Sequence, residues 1–398
     1  MKWFIYVVVN VIETLLRAVP VPCKTGLVRI GRPGRGSPVF LTCNYHLTVV
    51  RVKHALKGLD AWLLVANSKG YNVWCGATGG HFTGHSVIAV LKTSGIEALV
   101  DHRDVILPQL AATGIEGKTI REKSGWNAIW GPVYAPDIPA FVETNHRKTV
   151  VMREVRFPPA QRIEMALMWA FPFSIIASLL VFPFSLQWLL PLNILIWGWS
   201  LLVFITFPLY SGWFERTKRT ACVSKYTVLF DFSLPPLILW LIFVFFLALW
   251  SVSLGHFNLL SFLGVSLISL VILLLLNIDL MGSTPVYKSG LHEERYLQIF
   301  LDTERCCGAG YCESVCPKNC FEVDAVHHTA TMPRAEACVQ CGACVVQCPF
   351  DALYFRNSKG EMLPPATVRE YKLNLMGKRM VKTGIVIILL FSQGVVSF

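Results

Sequence analysis

The chain has 398 residues, a net charge of +11 and a mean hydropathy of +0.52. Apolar residues make up 54% of it and charged residues 15%, whereas soluble domains average about 45–50% and about 25%. This composition excludes intrinsic disorder and argues against a wholly soluble protein. The length predicts two or three domains, and the absence of a basic stripe interleaved with aromatic residues argues against a nucleic-acid partner.

The first predicted element is an amphipathic helix in residues 1–23. Apolar residues at positions 4, 7, 8, 11, 12, 15 and 16 recur at helical spacing. The apolar run is too short to span a membrane, so we expect this helix to lie in the membrane interface, in contact with lipid. A secretory signal is the alternative, but the Val-Pro-Val-Pro sequence before Cys23 lacks the small residues of a cleavage site.

Residues 24–160 are predicted to form a Rossmann-like α/β domain. Strands are expected at Pro38–Thr42, Ala61–Val65, Asn72–Cys75 and Ala128–Tyr134, and helices at Leu47–Leu59 and Ser86–Thr93. Such alternation of short strands and helices is typical of this fold class. Neither a dinucleotide fingerprint nor a Walker loop occurs in this domain.

The segment Tyr71–Phe82 stands out in this domain, because a cysteine, Cys75, is followed there by several glycines. We expect a strand to end at Cys75 and a glycine-rich turn to follow, before a helix that begins near Thr83. Glycines in such a turn let a bulky flat ligand approach the backbone, and a helix N-terminus lowers the pKa of a nearby thiol. The alternative interpretation is a buried structural cysteine in a tight turn.

Two long stretches without charged residues, 165–210 and 232–278, predict an all-α transmembrane bundle in residues 165–281. Each stretch is long enough for two spans of about 20 residues. The four helices are expected near residues 165–185, 188–210, 234–254 and 257–280. No chain of ionisable residues crosses the bundle, so an anchor is expected and not an ion pump.

Basic residues flank the predicted spans on one side. They are Arg147, Lys148, Arg153, Arg156 and Arg162 before the first span and Arg216, Lys218, Arg219 and Lys225 in the central loop. The positive-inside rule places both groups in the cytoplasm. We therefore expect a multi-pass protein of the cell membrane whose two soluble domains are both cytoplasmic.

Most of the 13 cysteines lie in residues 290–357, a density that indicates metal rather than disulfides in a cytoplasmic segment. The run Cys338-x2-Cys341-x2-Cys344-x3-Cys348-Pro349 is the bacterial ferredoxin pattern. Its first three cysteines and Cys316, which also precedes a proline, are the predicted ligands of one [4Fe–4S] cluster. Zinc is the alternative, and the Cys-Pro pairs argue against it. The sequence therefore predicts an α+β two-cluster ferredoxin domain.

The first cysteine run departs from this pattern because Ala309 occupies the position of the second ligand. The remaining predicted ligands are Cys306, Cys312 and Cys348. The second cluster of the domain is then either [3Fe–4S] with an empty corner, or [4Fe–4S] completed by Cys307 or Cys320. Both outcomes stay open at this point.

Residues 358–398 form a tail that contains the apolar segment Gly384–Phe398. This segment follows basic residues and is short for a membrane span. A fifth, terminal membrane helix is one interpretation of it.

Residues 26–156 resemble the cobalamin-binding domain of the mercury-methylating corrinoid protein, which is itself related to part of the corrinoid iron–sulfur protein of acetyl-CoA synthesis. The matching stretches are Ser37–Tyr45, Gly58–Trp62, Lys69–Cys75, Asp101–Arg103, Ile106–Gln109, Ser124–Trp126 and Trp130–Val133. In that family a membrane domain follows, and a small two-cluster ferredoxin is the partner protein. Here the corresponding three parts lie on one chain.

The resemblance implies that Cys75 is the lower axial ligand of cobalt in a bound corrinoid (cobalamin), and the catalytic residue. It implies further corrinoid contacts at Thr42, Asn44, Asn72, Val73, Trp74, Gly76, Ala77 and Gly79. The activity it implies is methyl transfer from the corrinoid to Hg(II) or another soft electrophile, with the fused ferredoxin domain reducing the corrinoid to Co(I). The implied partners are a methyl-donor protein or a methylated folate-type carrier, and an electron-donor protein.

The chain departs from that family at three points. A lysine that follows the cysteine segment is replaced by Gly79, no cysteine follows Cys348, and Ala309 removes one cluster ligand. His81 and His85 lie close to Cys75 in sequence and are competing candidates for the cobalt ligand. The alternative function, from a different class, is a membrane-anchored iron–sulfur electron-transfer protein without corrinoid chemistry, in which Cys75 is structural.

Overall fold

The computed structural model describes residues 2–17, 19–217, 225–253, 255, 258–282, 297–324, 326–356 and 360–371. These residues form two compact units, one built from residues 2–6, 19–155 and 297–371 and the other from residues 7–17 and 156–282. The predicted terminal helix at Gly384–Phe398 and the loop residues Lys218 and Arg219 lie outside the described residues. The predicted α/β and ferredoxin regions thus belong to the same unit.

The chain begins with a helix and continues into a five-stranded sheet. The helix is α1 (Lys2–Leu15), and the strands are β1 (Gly26–Ile30), β2 (Val39–Cys43), β3 (Ala61–Ala66), β4 (Asp104–Leu107) and β5 (Asn127–Trp130). The strand order is β1-β3-β2-β4-β5, with β1 antiparallel to β3 and the other neighbours parallel. Strands β2 and β3 are buried along their whole length. Both are nearly continuous apolar runs, which is typical of central strands in a parallel sheet that is covered on both faces.

Short helices connect and cover these strands. They are α2 (His46–Ala55), α3 (Val73–Thr78), α4 (Gly84–Thr93), α5 (Gly117–Ser124), α6 (Ile138–Glu143) and α7 (Val150–Arg153). The direction in which the chain adds strands reverses between β2 and β4, since β3 lies on one side of β2 and β4 on the other. In parallel sheets, ligands bind at the carboxyl ends of the strands that flank such a reversal.

Three details of the predicted strands are wrong. Residues Asn72–Cys75 form no strand, because Asn72 caps helix α3. The last strand covers only Asn127–Trp130, since its parallel partner β4 ends at Leu107. Strands β1 and β4 were not predicted, and their short, partly polar sequences explain why.

Four long apolar helices make up most of the second unit. They are α8 (Pro159–Val181), α9 (Leu189–Thr217), α10 (Lys225–Ser253) and α11 (Leu259–Gly282). All four are long and apolar enough to cross a membrane. Helix α8 begins before the predicted residue 165, and its first turns contain Glu164, which pairs with Arg17 at 2.7 Å.

The ferredoxin region consists of short strands and two short helices that carry cysteines. Its elements are β6 (Gln298–Leu301), α12 (Tyr311–Val315), β7 (Glu322–Asp324), β8 (Thr329–Thr331), α13 (Ala343–Gln347), β9 (Leu353–Arg356), β10 (Met362–Leu363) and α14 (Pro365–Tyr371). Strand β9 lies between β10 and β6, and β7 pairs with β8.

The two cysteine runs are structural repeats of each other. Helices α12 and α13 each follow a glycine in the left-handed region, Gly310 (φ 76°) and Gly342 (φ 75°). In register with these glycines, Ala309 of the first run corresponds to Cys341 of the second. The backbone N–H of Cys320 donates to Cys316 Sγ at 3.3 Å, and that of Ala352 donates to Cys348 Sγ at 3.4 Å. The repeat places each half of the ferredoxin pattern in the same local geometry.

Candidate functional site

The carboxyl edge of the sheet brings together the residues predicted to contact a corrinoid. Thr42 lies near the end of β2, and Asn44 directly follows that strand. Helix α3, with Asn72 as its cap, follows β3. A 3₁₀ turn, Gln109–Thr113, follows β4. These segments surround the point at which the strand order reverses.

Asn44 fixes the loop that leads into α3. Its Oδ1 accepts hydrogen bonds from the backbone N–H groups of Ser68 at 2.8 Å and Gly70 at 3.1 Å, and its Nδ2 donates to Cys23 O at 3.3 Å. The side chain of Asn44 is thus engaged within the protein. Its observed contacts position the segment that carries Cys75.

Asn72 and Cys75 occupy the first turn of α3. The Oδ1 of Asn72 accepts a hydrogen bond from the N–H of Cys75 at 2.9 Å, which caps the helix. Among the described residues, nothing bonds the buried Nδ2 of Asn72. A buried amide donor without an acceptor is costly, so this atom is a suitable contact for an acceptor on a bound ligand.

The glycines of this segment make room for neighbouring parts of the chain. A Cβ on Gly76 would lie 2.9 Å from Phe82 Cβ, and one on Gly79 would lie 2.8 Å from Cys75 O. The O of Gly76 also accepts hydrogen bonds from the N–H groups of His81 and Phe82 at 2.8 and 2.7 Å. The predicted use of these glycines, approach of a flat ligand to the backbone, is therefore not their role in this structure.

The other predicted contacts lie in or beside α3. Trp74 lies in the same apolar core as Cys75, and Val73 packs against that core. Ala77 is fully buried. His81 stacks on Tyr71 at 4.5 Å between ring centroids, while His85 is exposed at the start of α4. Burial, and secondarily the charge of Lys69, lowers the pKa of His81.

The 3₁₀ turn Gln109–Thr113 packs against α3 and covers Cys75. A Cβ on Gly114 would lie 2.2 Å from Ala77 O, which shows how closely the end of this turn approaches the helix. Ala111 and Ala112 are fully buried, and Cys75 is only 7% exposed. The thiol is therefore shielded from solvent in this structure.

Gln347, on α13 of the ferredoxin region, holds this turn in place. Its Nε2 donates to Ala112 O at 2.7 Å and to Ile115 O at 2.6 Å, and its Oε1 accepts from the N–H of Gly117 at 3.0 Å. All polar atoms of this buried side chain are thereby used. The sequence analysis did not single out Gln347, because its partners lie more than 200 positions away in the chain.

Lys148 is a second polar link between the sheet and the ferredoxin region. Its Nζ donates to Gln109 Oε1 at 2.8 Å, to Gly131 O at 3.1 Å and to Ser314 O at 2.7 Å. Burial, together with the nearby charge of Arg153, lowers the pKa of Lys148 to about 7. The sequence places Lys148 and Arg153 among the charges that flank the first apolar helix, and in the structure both make contacts within the unit that contains the sheet and the ferredoxin region.

Two ion pairs and one backbone hydrogen bond complete this junction. Arg153 pairs with Glu313 at 2.7 Å, and Arg369 pairs with Glu116 at 3.1 Å. The N–H of Val155 donates to Pro317 O at 2.9 Å. The ferredoxin region is therefore docked on the α/β region by specific contacts.

The predicted cluster ligands fall into two sets. The pKa of the Cys312 thiol is raised to about 12, by burial and by the nearby thiols of Cys306 and Cys348. The pKa of Cys341 is raised by burial first and then by Cys316 and Cys338. The pKa of Cys344 is raised by burial and by the nearby thiols of Cys341, Cys338 and Cys316, with Cys312 of the other run contributing least. The structure thus separates a three-cysteine set, Cys306, Cys312 and Cys348, from a four-cysteine set, Cys316, Cys338, Cys341 and Cys344.

The surroundings of both sets suit iron–sulfur clusters. Backbone N–H groups donate to Cys306 Sγ at 3.3 Å and to Cys338 Sγ at 3.4 Å, in addition to the bonds to Cys316 and Cys348, and such bonds tune cluster potentials. Within the described residues, no three His, Cys, Asp or Glu side chains lie close enough together to bind one metal ion. The thiolates of an iron–sulfur cluster lie further apart than the ligands of a single ion, because several iron atoms lie between them.

The structure distinguishes the candidates for the fourth ligand of the three-cysteine set. Cys307 and Ala309 line a small cavity together with Cys306, Cys312 and Cys348. Cys320 lies with the other set, because hydrogen bonds with Cys316 and Cys338 raise its pKa. Of the two candidates considered, Cys307 is therefore the one that faces this cavity.

Comparisons with known proteins match two parts of the chain. Residues 10–142 match the family described as CO dehydrogenase/acetyl-CoA synthase delta subunit, and residues 333–354 match the family described as 4Fe-4S binding domain. The acetyl-CoA decarbonylase/synthase complex subunit gamma of Archaeoglobus fulgidus is 37% identical over 128 residues, which is 32% of this chain and 27% of that protein. The subunit gamma of Methanopyrus kandleri is 36% identical over 126 residues, 31% of this chain and 27% of that protein.

These matches correct the family assignment made from the sequence. The expected identification with the mercury-methylating corrinoid protein is wrong, since the matched region is that of acetyl-CoA decarbonylase/synthase subunits. The chain spans about a quarter of the length of the curated relatives it matches. The similarity therefore concerns the α/β region, and the ferredoxin match concerns the second cysteine run.

Proposed function

We propose that the soluble unit binds a corrinoid at the carboxyl edge of the sheet, with Cys75 as its protein ligand, and takes part in methyl transfer. The similarity to subunits of acetyl-CoA decarbonylase/synthase and the 4Fe-4S motif support this proposal. When bound, the corrinoid would carry the methyl group and the iron–sulfur clusters would supply reducing electrons. The observation that carries the proposal is one apolar core that contains both Cys75 and the cluster ligand Cys341.

In this proposal Asn72 and Asn44 position the cobalt ligand. Asn72 holds the N–H of Cys75 and offers its unbonded Nδ2 to a bound ligand, while Asn44 fixes the loop before α3. A corrinoid is large, so its binding requires the turn Gln109–Thr113 to move away from Cys75. Gln347 and Lys148 are the residues that control this movement, because they hold the turn from the ferredoxin side.

The iron–sulfur part of the proposal assigns four thiolates to one cluster and three to the other. Cys316, Cys338, Cys341 and Cys344 would hold a [4Fe–4S] cluster. Cys306, Cys312 and Cys348 would hold the second cluster, with Ala309 at the position of the missing ligand. The proposed partners are an electron-donor protein and a methyl-donor protein or methylated folate-type carrier. Membership of the relatives in a multi-subunit complex supports protein partners.

We propose further that α8 to α11 span the cell membrane and that the soluble unit lies on its cytoplasmic side. Many apolar side chains on these helices are exposed, among them Leu209 at 85% and Leu260 at 82%, which is unfavourable in water and favourable in lipid. The α/β and ferredoxin regions pack together, so they lie on the same side, as an even number of spans between them requires. Reporter fusions after residues 156 and 297 test this topology, and opposite locations of the two reporters would contradict it.

The corrinoid proposal is tested by comparing two buried cysteines of the same domain. Cys75→Ala is expected to abolish corrinoid binding or to change its absorbance spectrum, while the protein keeps its full iron content. Cys43→Ala is the matched control, since Cys43 is fully buried and not a predicted ligand. Identical corrinoid spectra in both variants would refute Cys75 as the cobalt ligand.

Burial of Cys75 favours the alternative function, an iron–sulfur electron-transfer protein without a corrinoid. In that case Cys75 is a packing residue of the core, consistent with its 7% exposure. Purified protein with complete clusters that takes up no cobalamin under reducing conditions would decide for this alternative.

A further inference from the structure

The two cysteine sets differ in their surroundings although the two runs share the same local geometry. Cys341 of the four-cysteine set is 9% exposed and lies in one apolar core with Cys75 of the α/β region. Val339 and Ala343, its near neighbours in sequence, belong to the same core. Through Cys341 the four-cysteine set is continuous with the proposed corrinoid site, while Cys316 and Cys344 pack with Cys312 in the core of the ferredoxin region.

The three-cysteine set lines a cavity inside the ferredoxin region. Every residue that lines its cavity belongs to the ferredoxin region, and none comes from the α/β region. Cys307 and Ala309 on its wall are exposed, and so are Phe350 at 52% and Tyr311 at 39%. Ala309 is the structural counterpart of Cys341, so the same position is exposed in one run and buried in the other.

We propose that the four-cysteine set is the inner one, which delivers electrons to the corrinoid site, and that the three-cysteine set is the outer one, which receives them. This inference rests on the proposed function. Cys306, Cys312 and Cys348 would hold the cluster that accepts single electrons from an external one-electron carrier protein. Cys316, Cys338, Cys341 and Cys344 would hold the cluster that supplies these electrons to the corrinoid site at Cys75. No proton or group transfer accompanies this route.

The docking contacts fix the inner set against the corrinoid site. Gln347 links α13, which begins one residue before the ligand Cys344, to the turn that covers Cys75. Lys148 binds Ser314 O at the end of α12 and Gln109 in the same turn. The C-terminal ends of α12 and α13 are therefore both bound to the α/β region.

A first experiment needs no corrinoid. The full chain with reconstituted clusters is exposed to a soluble iron chelator, and EPR spectra follow each cluster, with Cys306→Ser and Cys341→Ser proteins identifying the two signals. The cluster of the three-cysteine set should be lost first. A cluster with a missing ligand is labile wherever it lies, so the deciding comparison is made in the Ala309→Cys protein, in which both sets have four cysteines. There too the cluster of the outer set should be lost first. Equal rates, or earlier loss of the cluster of the inner set, would overturn the inference.

A second experiment uses the corrinoid-loaded chain. Cobalt in its paramagnetic Co(II) state should show enhanced spin relaxation from the reduced inner cluster. This enhancement should disappear in Cys341→Ser and persist in Cys306→Ser, and the reverse pattern would overturn the inference. A chain that takes up no corrinoid refutes the proposed function, and the chelator experiment then still decides the orientation of the two sets.

Discussion

Removing the Gln347 side chain should expose Cys75. In the structure this side chain makes three hydrogen bonds to the segment Ala112–Gly117, and a hydrogen bond contributes about 1 kcal/mol net. Gln347→Ala should therefore weaken the closed position of the covering turn by about 3 kcal/mol. Since 1.4 kcal/mol is a factor of ten, the open population should rise about 100-fold.

The assay is alkylation of Cys75 in the native protein, quantified on its peptide by mass spectrometry. When opening and closing are fast, the alkylation rate follows the open population, so it should rise by the same factor of about 100. Gln340→Ala is the matched control, because Gln340 is equally buried but bonds Leu297 O within the ferredoxin region. It should leave Cys75 protected. Unchanged alkylation in Gln347→Ala, with normal iron content, would refute the view that this residue closes the turn over Cys75.

Three further predictions concern the cluster ligands, the junction and the helix cap. Ala309→Cys should raise the iron content from about seven to about eight atoms per chain and remove any oxidised three-iron EPR signal; unchanged iron would show that the fourth iron is already held, by Cys307 or by water. The pKa of Lys148 is about 7 in the folded protein and 10.5 for the free side chain. Between pH 7 and pH 10.5 the unfolded chain therefore keeps a proton that the folded chain has lost, so the free energy of unfolding should rise with pH. Lys148→Met should flatten this rise in thermal denaturation between pH 7 and 10, and an unchanged slope would exclude Lys148 as its source. Asn72→Asp should keep the cap of α3, whereas Asn72→Ala should cost about 1 kcal/mol of stability; both should weaken cobalamin binding, and full binding by the Asp variant would exclude the Nδ2 contact.

The regular features of the fold were predictable from local sequence. Buried strands such as Ala61–Ala66 are short apolar runs, and each of the four apolar helices extends over a stretch that is nearly free of charge. A strand was predicted at Asn72–Cys75 because Val73 and Trp74 are residue types that favour strands. The Asn72 side chain instead caps a helix that begins at Val73. Helix α8 begins earlier than predicted, since hydropathy alone does not detect a charged first turn.

The junction could not be predicted, because it depends on contacts between distant parts of the chain. Gln347 lies between two predicted cluster ligands, and nothing in its own run shows that its partners are carbonyl groups near Ala112. Lys148 belongs in sequence to a basic cluster before the first apolar helix, yet its three acceptor oxygen atoms belong to the sheet region and the ferredoxin region. Charge patterns identify where a cation occurs, and only the tertiary structure identifies its acceptors.

The position of Ala309 is explained by the different surroundings of the two cysteine runs. At the buried counterpart Cys341, loss of the thiolate would leave an iron atom in a buried apolar core, where water does not readily reach it. At the exposed position of Ala309, water or the neighbouring Cys307 can reach the same corner of the cluster. A ligand can therefore be lost at the outer set at lower cost than at the inner set. The asymmetry in sequence between two otherwise matching runs follows from which run packs against the α/β region.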